Sequence, residues 1–167
     1  MTPVCDVVAK MIAQANGNMH DIKHFIKVWG FAKNIGELEN LDPTTQYTLE
    51  LAAIVHDISC PLCRKKYGNT GYPHQEAESA PLVKAFFKNL DVPQDIVDRV
   101  TYIVSHHHTY SNVDGLDYQI LLEADFIINA DGHSMSKEAI QNALDTFYKT
   151  KSGKDMLIRM YLTTANQ

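Results

Sequence analysis

The sequence predicts an all-α fold, and three observations carry the prediction. Apolar residues recur at three- and four-residue spacing in every long segment. No stretch alternates apolar and polar residues as a half-buried strand would. Glycine or proline punctuates the ends of the periodic stretches. About seven or eight such segments in 167 residues suit a helical bundle forming one domain.

The first segment carries Val4, Val7, Val8, Met11 and Ile12 and stops before Gly17. A second helix is expected over about Asp21 to Ile35, with Ile22, Phe25, Ile26, Val28, Trp29 and Ala32 apolar and Gly36 beyond its end. Asp21 offers that helix a cap or a first-turn charge. Asp42-Pro43 opens a third helix, since proline suits the first turn. Its later part, LELAAIVHDI from Leu49 to Ile58, is apolar nearly all round, as in a helix buried mid-domain, and Pro61 is expected to stop it. The stretch CPLCRKKYGNTGYPHQ reads as a loop, and a loop of that length is usually functional. Further helices are expected over about His74–Leu90, Pro93–His106, Tyr118–Asn129, Met135–Thr150 and Asp155–Thr164. The body of the domain then spans about residues 20–130, with C-terminal helices over about 135–164.

Composition narrows the function classes. At 45% apolar and 21% charged, the chain reads as an ordinary soluble protein. A net charge of -5 argues against binding large nucleic acids by counterion release, yet leaves room for a small phosphorylated molecule in a local basic patch. No apolar run approaches the ~20 residues of a membrane span. Asp6 and the lack of a basic n-region speak against a secretory signal. Three cysteines make no disulfide framework, and a reducing cytoplasm is the expected compartment. Cys60 and Cys63 have the spacing of a redox pair, but no strand–helix pattern surrounds them, so no redox role is expected.

The chemistry lies in polar residues placed where the pattern demands apolar ones. His56-Asp57 ends an otherwise apolar helix. His24 sits in the apolar second helix, and Asp125 sits within ILLEADFII. Burying an ionised aspartate is costly unless it is paired or coordinates a metal. Two imidazoles and two carboxylates form a mixed N/O set that suits a six-coordinate ion such as Mn, Fe, Co, Ni or Mg better than structural zinc. Four protein ligands leave two positions open, as a hydrolase needs for a phosphoryl oxygen and an attacking water.

The order of these residues, with HDIKHFIKVWGFAKNIG, ELAAIVHDIS and LLEADFIIN, resembles the HD-domain phosphohydrolase superfamily. KYGNTGYPHQEAESAP and SHHHTYSNVDGLDYQILLEADF resemble a small stand-alone branch of it. The resemblance covers about His20 to Asn129 and implies metal ligands His24, His56, Asp57 and Asp125. It implies metal-dependent hydrolysis of phosphomonoesters or phosphodiesters, often of nucleotides. In two-metal branches further histidines come from the helix after the doublet and from a later His or His-His. His74 and His106, with His107, occupy those stretches and are candidates for a second site. One firmly held ion is the expectation, because one four-ligand set is complete.

The remaining candidates surround that set. Asp57, Glu76 and His106 are the expected catalytic residues, with Glu76 the candidate base. Arg64 and Lys65, from the only basic run, with Lys27 and His107, are the expected substrate contacts. Asp21, three residues before His24, could orient that ligand. Two further readings compete: a metal-containing nucleotide-binding regulator with little turnover, and a CxxC redox protein.

Overall fold

The computed structural model describes residues 1–163. Among them the elements are α1 (Val4–Gln14), α2 (Met19–Leu38), α3 (Pro43–Val55), α4 (Cys60–Tyr67), α5 (Tyr72–Phe87), α6 (Gln94–Val104), α7 (Leu116–Gly132), α8 (Lys137–Thr146), α9 (Lys151–Leu157) and a π-helical turn (Ile158–Leu162). No described residue lies in a strand, so the chain forms the all-α bundle that its periodicity predicts. No described helix is long and apolar enough to cross a membrane.

Helix α3 is the axis of the molecule. Every residue from Thr48 to Val55 is buried, as expected of a helix with no polar face. Pro43 starts it, and the Asp42 carboxylate caps it by accepting from Thr44 N and Thr45 N. Helices α1, α2, α6 and α7 pack around it. Each buried leucine or isoleucine of α3 contributes about 1.5–3 kcal/mol by leaving water. α2 and α7 also pack on one another, so α2, α3 and α7 meet along a common seam. The Asn18 side chain caps α2 by accepting from Asp21 N.

The stretch after the doublet departs from its expected loop. Residues 60–67 form α4, a two-turn helix. Pro61 lies in its first turn, where proline starts a helix rather than ending one. Cys60 and Cys63, three apart, bury one face, while Arg64, Lys65 and Lys66 fill the last turn, where cations favour the helix dipole. Gly68, at φ 71°, closes the helix in the left-handed conformation. The C-terminal boundaries also shift. α8 ends at Thr146, and α9 begins at Lys151 because the Thr150 side chain caps it by accepting from Gly153 N. The expected end of the last helix, at Thr164, lies outside the described residues.

Two histidine segments lie just past helix ends. α3 stops at Val55, with His56 as its C-cap, and α6 stops at Val104, ahead of His106, His107 and His108. Both turns open toward the seam of α2, α3 and α7.

Candidate metal centre

His24 comes from α2, His56 and Asp57 from the turn after α3, Asp125 from α7 and His107 from the turn after α6. Their polar atoms converge. His24 Nε2 lies 3.1 Å from His56 Nε2, 3.3 Å from Asp57 Oδ2 and 3.2 Å from Asp125 Oδ1. His56 Nε2 lies 3.5 Å from Asp57 Oδ2 and 3.6 Å from Asp125 Oδ1. On the other side of the same carboxylate, His107 Nε2 lies 3.6 Å from Asp57 Oδ1. Asp57 thus turns one oxygen to His24 and His56 and the other to His107.

The backbone fixes the histidine tautomers. His56 Nδ1 donates to Ala53 O at 2.8 Å, and His107 Nδ1 donates to Val104 O at 2.7 Å. A carbonyl only accepts, so Nδ1 carries the proton and the neutral ring presents an Nε2 lone pair to the centre. Lone pairs from imidazoles and carboxylates therefore face each other, which is repulsive unless a cation or proton lies among them. Buried atoms without hydrogen-bond partners mark the same place. Asp125 Oδ1, His107 Nε2 and His108 Nε2 are three such atoms among the described residues. Native interiors rarely tolerate such atoms without a ligand or function.

The charge balance points the same way. Burial alone would depress the His56 pKa, but the Asp57 charge and the Asp125 carboxylate outweigh it and raise the pKa to about 9. Burial works against the Asp57 anion too, yet His56 and His107 hold its carboxyl well below the usual range. Asp125 is likewise held low, by His24 and His56 against its own burial. His108 is pushed down to about 3, first by burial and then by His107, and so stays neutral. Two groups have ligand atoms close enough to share an ion: His24, His56 and Asp57, and Asp57, His107 and His108. The donor set is nitrogen and carboxylate oxygen, which fits a borderline or hard divalent ion.

A cleft of about 570 Å³ leads out from this cluster. His20, Lys23, His24 and Lys27 line one wall, at helical spacing along α2. Asp125, Ile128, Asn129 and Gly132 line another, along α7. Cys60, Arg64, Tyr72 and His108 add to its lining. Arg64 is clipped to Asp21, so α4 is tied to the first turn of α2.

Several expected site residues lie elsewhere. The His74 ring stacks on Tyr67, with centroids 3.9 Å apart, and joins neither ligand group. His106 Nδ1 donates to Tyr102 O at 2.7 Å, its ring leans on Tyr102, and it too joins neither group. Neighbouring turn residues diverge, so of three consecutive histidines the first points away. Glu76 Oε1 accepts from His108 N at 3.2 Å and Thr109 Oγ1 at 3.0 Å, so its carboxylate holds the histidine turn instead of facing the cleft. Lys65 is exposed and does not line the cleft, and Lys66 pairs with Glu78. Lys27 and Arg64 do line it. His108 is not among the residues that the sequence singles out. Its only signal was its place in the run after an apolar helix. Cys60 lines the cleft while buried, and burial first, then the Asp57 charge, pushes its thiol pKa well up. A protonated thiol is a poor nucleophile, which disfavours the redox reading.

Comparison with known proteins agrees with this architecture. The family model for the HD domain matches residues 21–141. A predicted HD superfamily hydrolase from an uncultured Thermotogales bacterium has a similar solved structure, with a TM-score of 0.63 and 22% sequence identity. The match covers 93% of this chain and 82% of that one. At that identity the likeness speaks for the fold. No curated protein matches the chain in sequence.

Proposed function

This chain belongs to the HD-domain family, and from that premise we propose that it is a divalent-metal-dependent phosphohydrolase, a phosphomonoesterase or phosphodiesterase. Its substrate is a small phosphorylated molecule of nucleotide size. The carrying observation is the convergence of five ligand-type side chains whose lone pairs face one another at the foot of a cleft. His24, His56, Asp57 and Asp125 hold the first ion. Asp57, His107 and His108 would hold a second, beyond the one ion expected from sequence and in place of the candidates His74 and His106. The ion supplies Lewis acidity toward a phosphoryl oxygen and lowers the pKa of a water.

The chain's own groups do the rest. The Ala53 and Val104 carbonyls fix the rings of His56 and His107, so the ligand lone pairs are oriented before anything binds. Glu76 acts as a positioning residue by holding the backbone of the His108 turn. Lys27 and Arg64 meet the non-reacting oxygens of the phosphorylated molecule at the cleft wall. A volume of about 570 Å³ admits a ligand of nucleotide size. On this reading the chain is one HD-type domain, of which the family model matches residues 21–141.

The test is elemental analysis after loading with Mn, Fe, Co, Ni or Mg, followed by a panel of phosphate monoesters and diesters. Stoichiometric ion and turnover of at least one ester are expected. Protein that retains no divalent ion would end the reading. One observation favours a second reading, a metal-containing nucleotide-binding regulator: Glu76, the expected base, is engaged by the His108 turn, and Asp21 at the cleft wall is paired with Arg64. Tight nucleotide binding by the metal-loaded protein with no turnover across the panel would select that reading.

A further inference from the structure

Helix α2 contains two interior glycines, and only one has a steric reason to be there. A Cβ on Gly36 would collide with Gln46 Oε1. A Cβ on Gly30 would meet nothing within 4 Å. Glycine inside a helix is unfavourable relative to alanine. Gly30 therefore weakens α2 without helping any neighbour to pack. What it does is keep a groove open. Ile26, Lys27, Gly30, Phe31, Asn34 and Met156 enclose about 300 Å³ of mostly apolar space. Asn34 Nδ2 donates to Gly30 O at 2.7 Å, which holds that side chain back against the helix as a wall.

The groove adjoins the cleft of the metal centre at one residue. Lys27 lines both cavities. His24, Lys27 and Gly30 succeed one another at three-residue steps along α2, so the groove floor begins about 9 Å along the helix axis from His24. A lysine at such a boundary can give its ammonium to the polar cleft and its methylene stem to the apolar groove.

We propose that this groove receives an apolar arm of the phosphorylated substrate, so the preferred substrate is a phosphate ester of a long-chain or isoprenoid-type alcohol. The proposal rests on the phosphohydrolase reading for the position of the phosphate. The occupant follows from adjacency: the cleft gathers ligands for an ion and for phosphate, the neighbouring groove is apolar, and a single extended ligand passing over Lys27 would reach both. Gly30 is then the residue that sets chain-length specificity.

The experiment measures binding and turnover separately. Methyl-, butyl-, octyl- and dodecylphosphonate, below their micelle concentrations, are titrated calorimetrically into the metal-loaded full chain. The matching phosphates are assayed for hydrolysis. Methyl and butyl should bind alike, because the groove lies beyond their reach. Octyl and dodecyl should gain about twofold per methylene seated, half the value for full burial because the groove is open on one side. In Gly30→Leu the ratio of octyl to methyl affinity should fall toward one. Gly30→Ala, which adds only a methyl group, should fold normally with a Tm raised by about 3 °C. A flat affinity series for the wild type would overturn the proposal. So would Gly30→Ala losing stability, which would make the glycine structural. A wild-type dimer that dissociates in Gly30→Leu would also overturn it, by assigning the groove to a second copy of the chain. Chain-length-dependent binding without hydrolysis of any ester would sink the phosphohydrolase reading while keeping the apolar arm. Hydrolysis with flat binding would do the reverse.

Discussion

Glu123 and Asp125 stand two residues apart on α7, and both are buried, yet their surroundings are opposite. Two residues apart on a helix means roughly 200° of rotation, so the carboxylates leave by opposite faces. Glu123 meets donors. Its Oε1 accepts from Gln119 Nε2 at 2.7 Å, Lys149 N at 2.7 Å and Thr150 N at 3.0 Å, and its Oε2 accepts from Thr150 Oγ1. Two of these donors are the backbone N–H groups leading into α9, so this acid pins the C-terminal helices to the body. Asp125 meets acceptors: its Oδ1 has no hydrogen-bond partner, while His24 Nε2 lies 3.2 Å away. A buried carboxylate surrounded by fixed donors is structural. One that confronts lone pairs is built for a cation.

The largest expected effects separate these two acids. Asp57→Ala and Asp125→Asn should empty the centre and lower turnover by at least about 10³-fold, because each removes a negative ligand. Elemental analysis of the purified variants checks this. Glu123→Ala should leave metal content at the wild-type value and instead cost about 3–5 kcal/mol, since it orphans the buried N–H groups of Lys149 and Thr150. Urea unfolding measures that loss. If Glu123→Ala lost metal as fully as Asp125→Asn, the two faces of α7 would not be independent.

The pH dependence of stability sharpens the same contrast from the side of the metal centre. His56, raised from 6.5 to about 9 in the folded protein, contributes stability fully present below pH 6.5 and lost as pH rises through about 9. Asp57 and Asp125, both lowered, contribute stability present above their ordinary value near 3.8 and lost as pH falls below it. Protein stripped with chelator should therefore be most stable between about pH 4 and 6.5 and lose on the order of 3 kcal/mol by pH 9. Metal affinity should rise over that same upper range, since the ion displaces the His56 proton. Metal-loaded protein with as steep a decline between pH 6.5 and 9 would contradict this.

The contrast also explains which parts of the molecule the sequence discloses. His24, His56, Asp57 and Asp125 are legible because each interrupts an apolar helical pattern. Such interruptions are rare and costly. Glu123 interrupts the same pattern, LLEADFII, and the apolar periodicity by itself does not distinguish it from Asp125; the family resemblance does. The difference is made by Lys149 and Thr150, about 25 residues on, which a local pattern does not reach. Helix α4 was hidden because its length is two turns and Pro61 signals a start as readily as a stop. The histidine run was legible as a group but not residue by residue, because α6 ends at Val104 and the turn geometry decides which rings face inward.

That run provides the next test, with the rings again sorted by what they face. His107 and His108 leave Nε2 buried without a partner, whereas His106 leans on Tyr102 outside both ligand groups. His107→Ala or His108→Ala should lower the metal count from about two per chain toward one without emptying the first site. His106→Ala and His74→Ala should keep the count and change turnover by less than about threefold. Loss of an ion in His106→Ala with full occupancy in His108→Ala would reverse the assignment.

The smallest effect is expected at the cleft wall, where the contrast becomes one between two cations of a single basic run. Arg64 lines the cleft but is already paired with Asp21, and 40% of its side chain is exposed. A phosphate reaching it exchanges one anionic partner for another in a solvated place, so the net gain is small. Arg64→Ala should raise KM for a phosphorylated substrate by about three- to tenfold, with kcat and metal content near wild type, the pattern of lost binding rather than lost chemistry. Lys65 is exposed and does not line the cleft. Lys65→Ala should leave KM within about 1.5-fold of wild type, the range of an ordinary solvated charge. Asp21→Asn separates pairing from binding: it frees Arg64 from its carboxylate, so KM should fall rather than rise. If Asp21→Asn instead raised KM as much as Arg64→Ala, the pair would serve to hold α4 against α2, and the guanidinium would not be a phosphate contact.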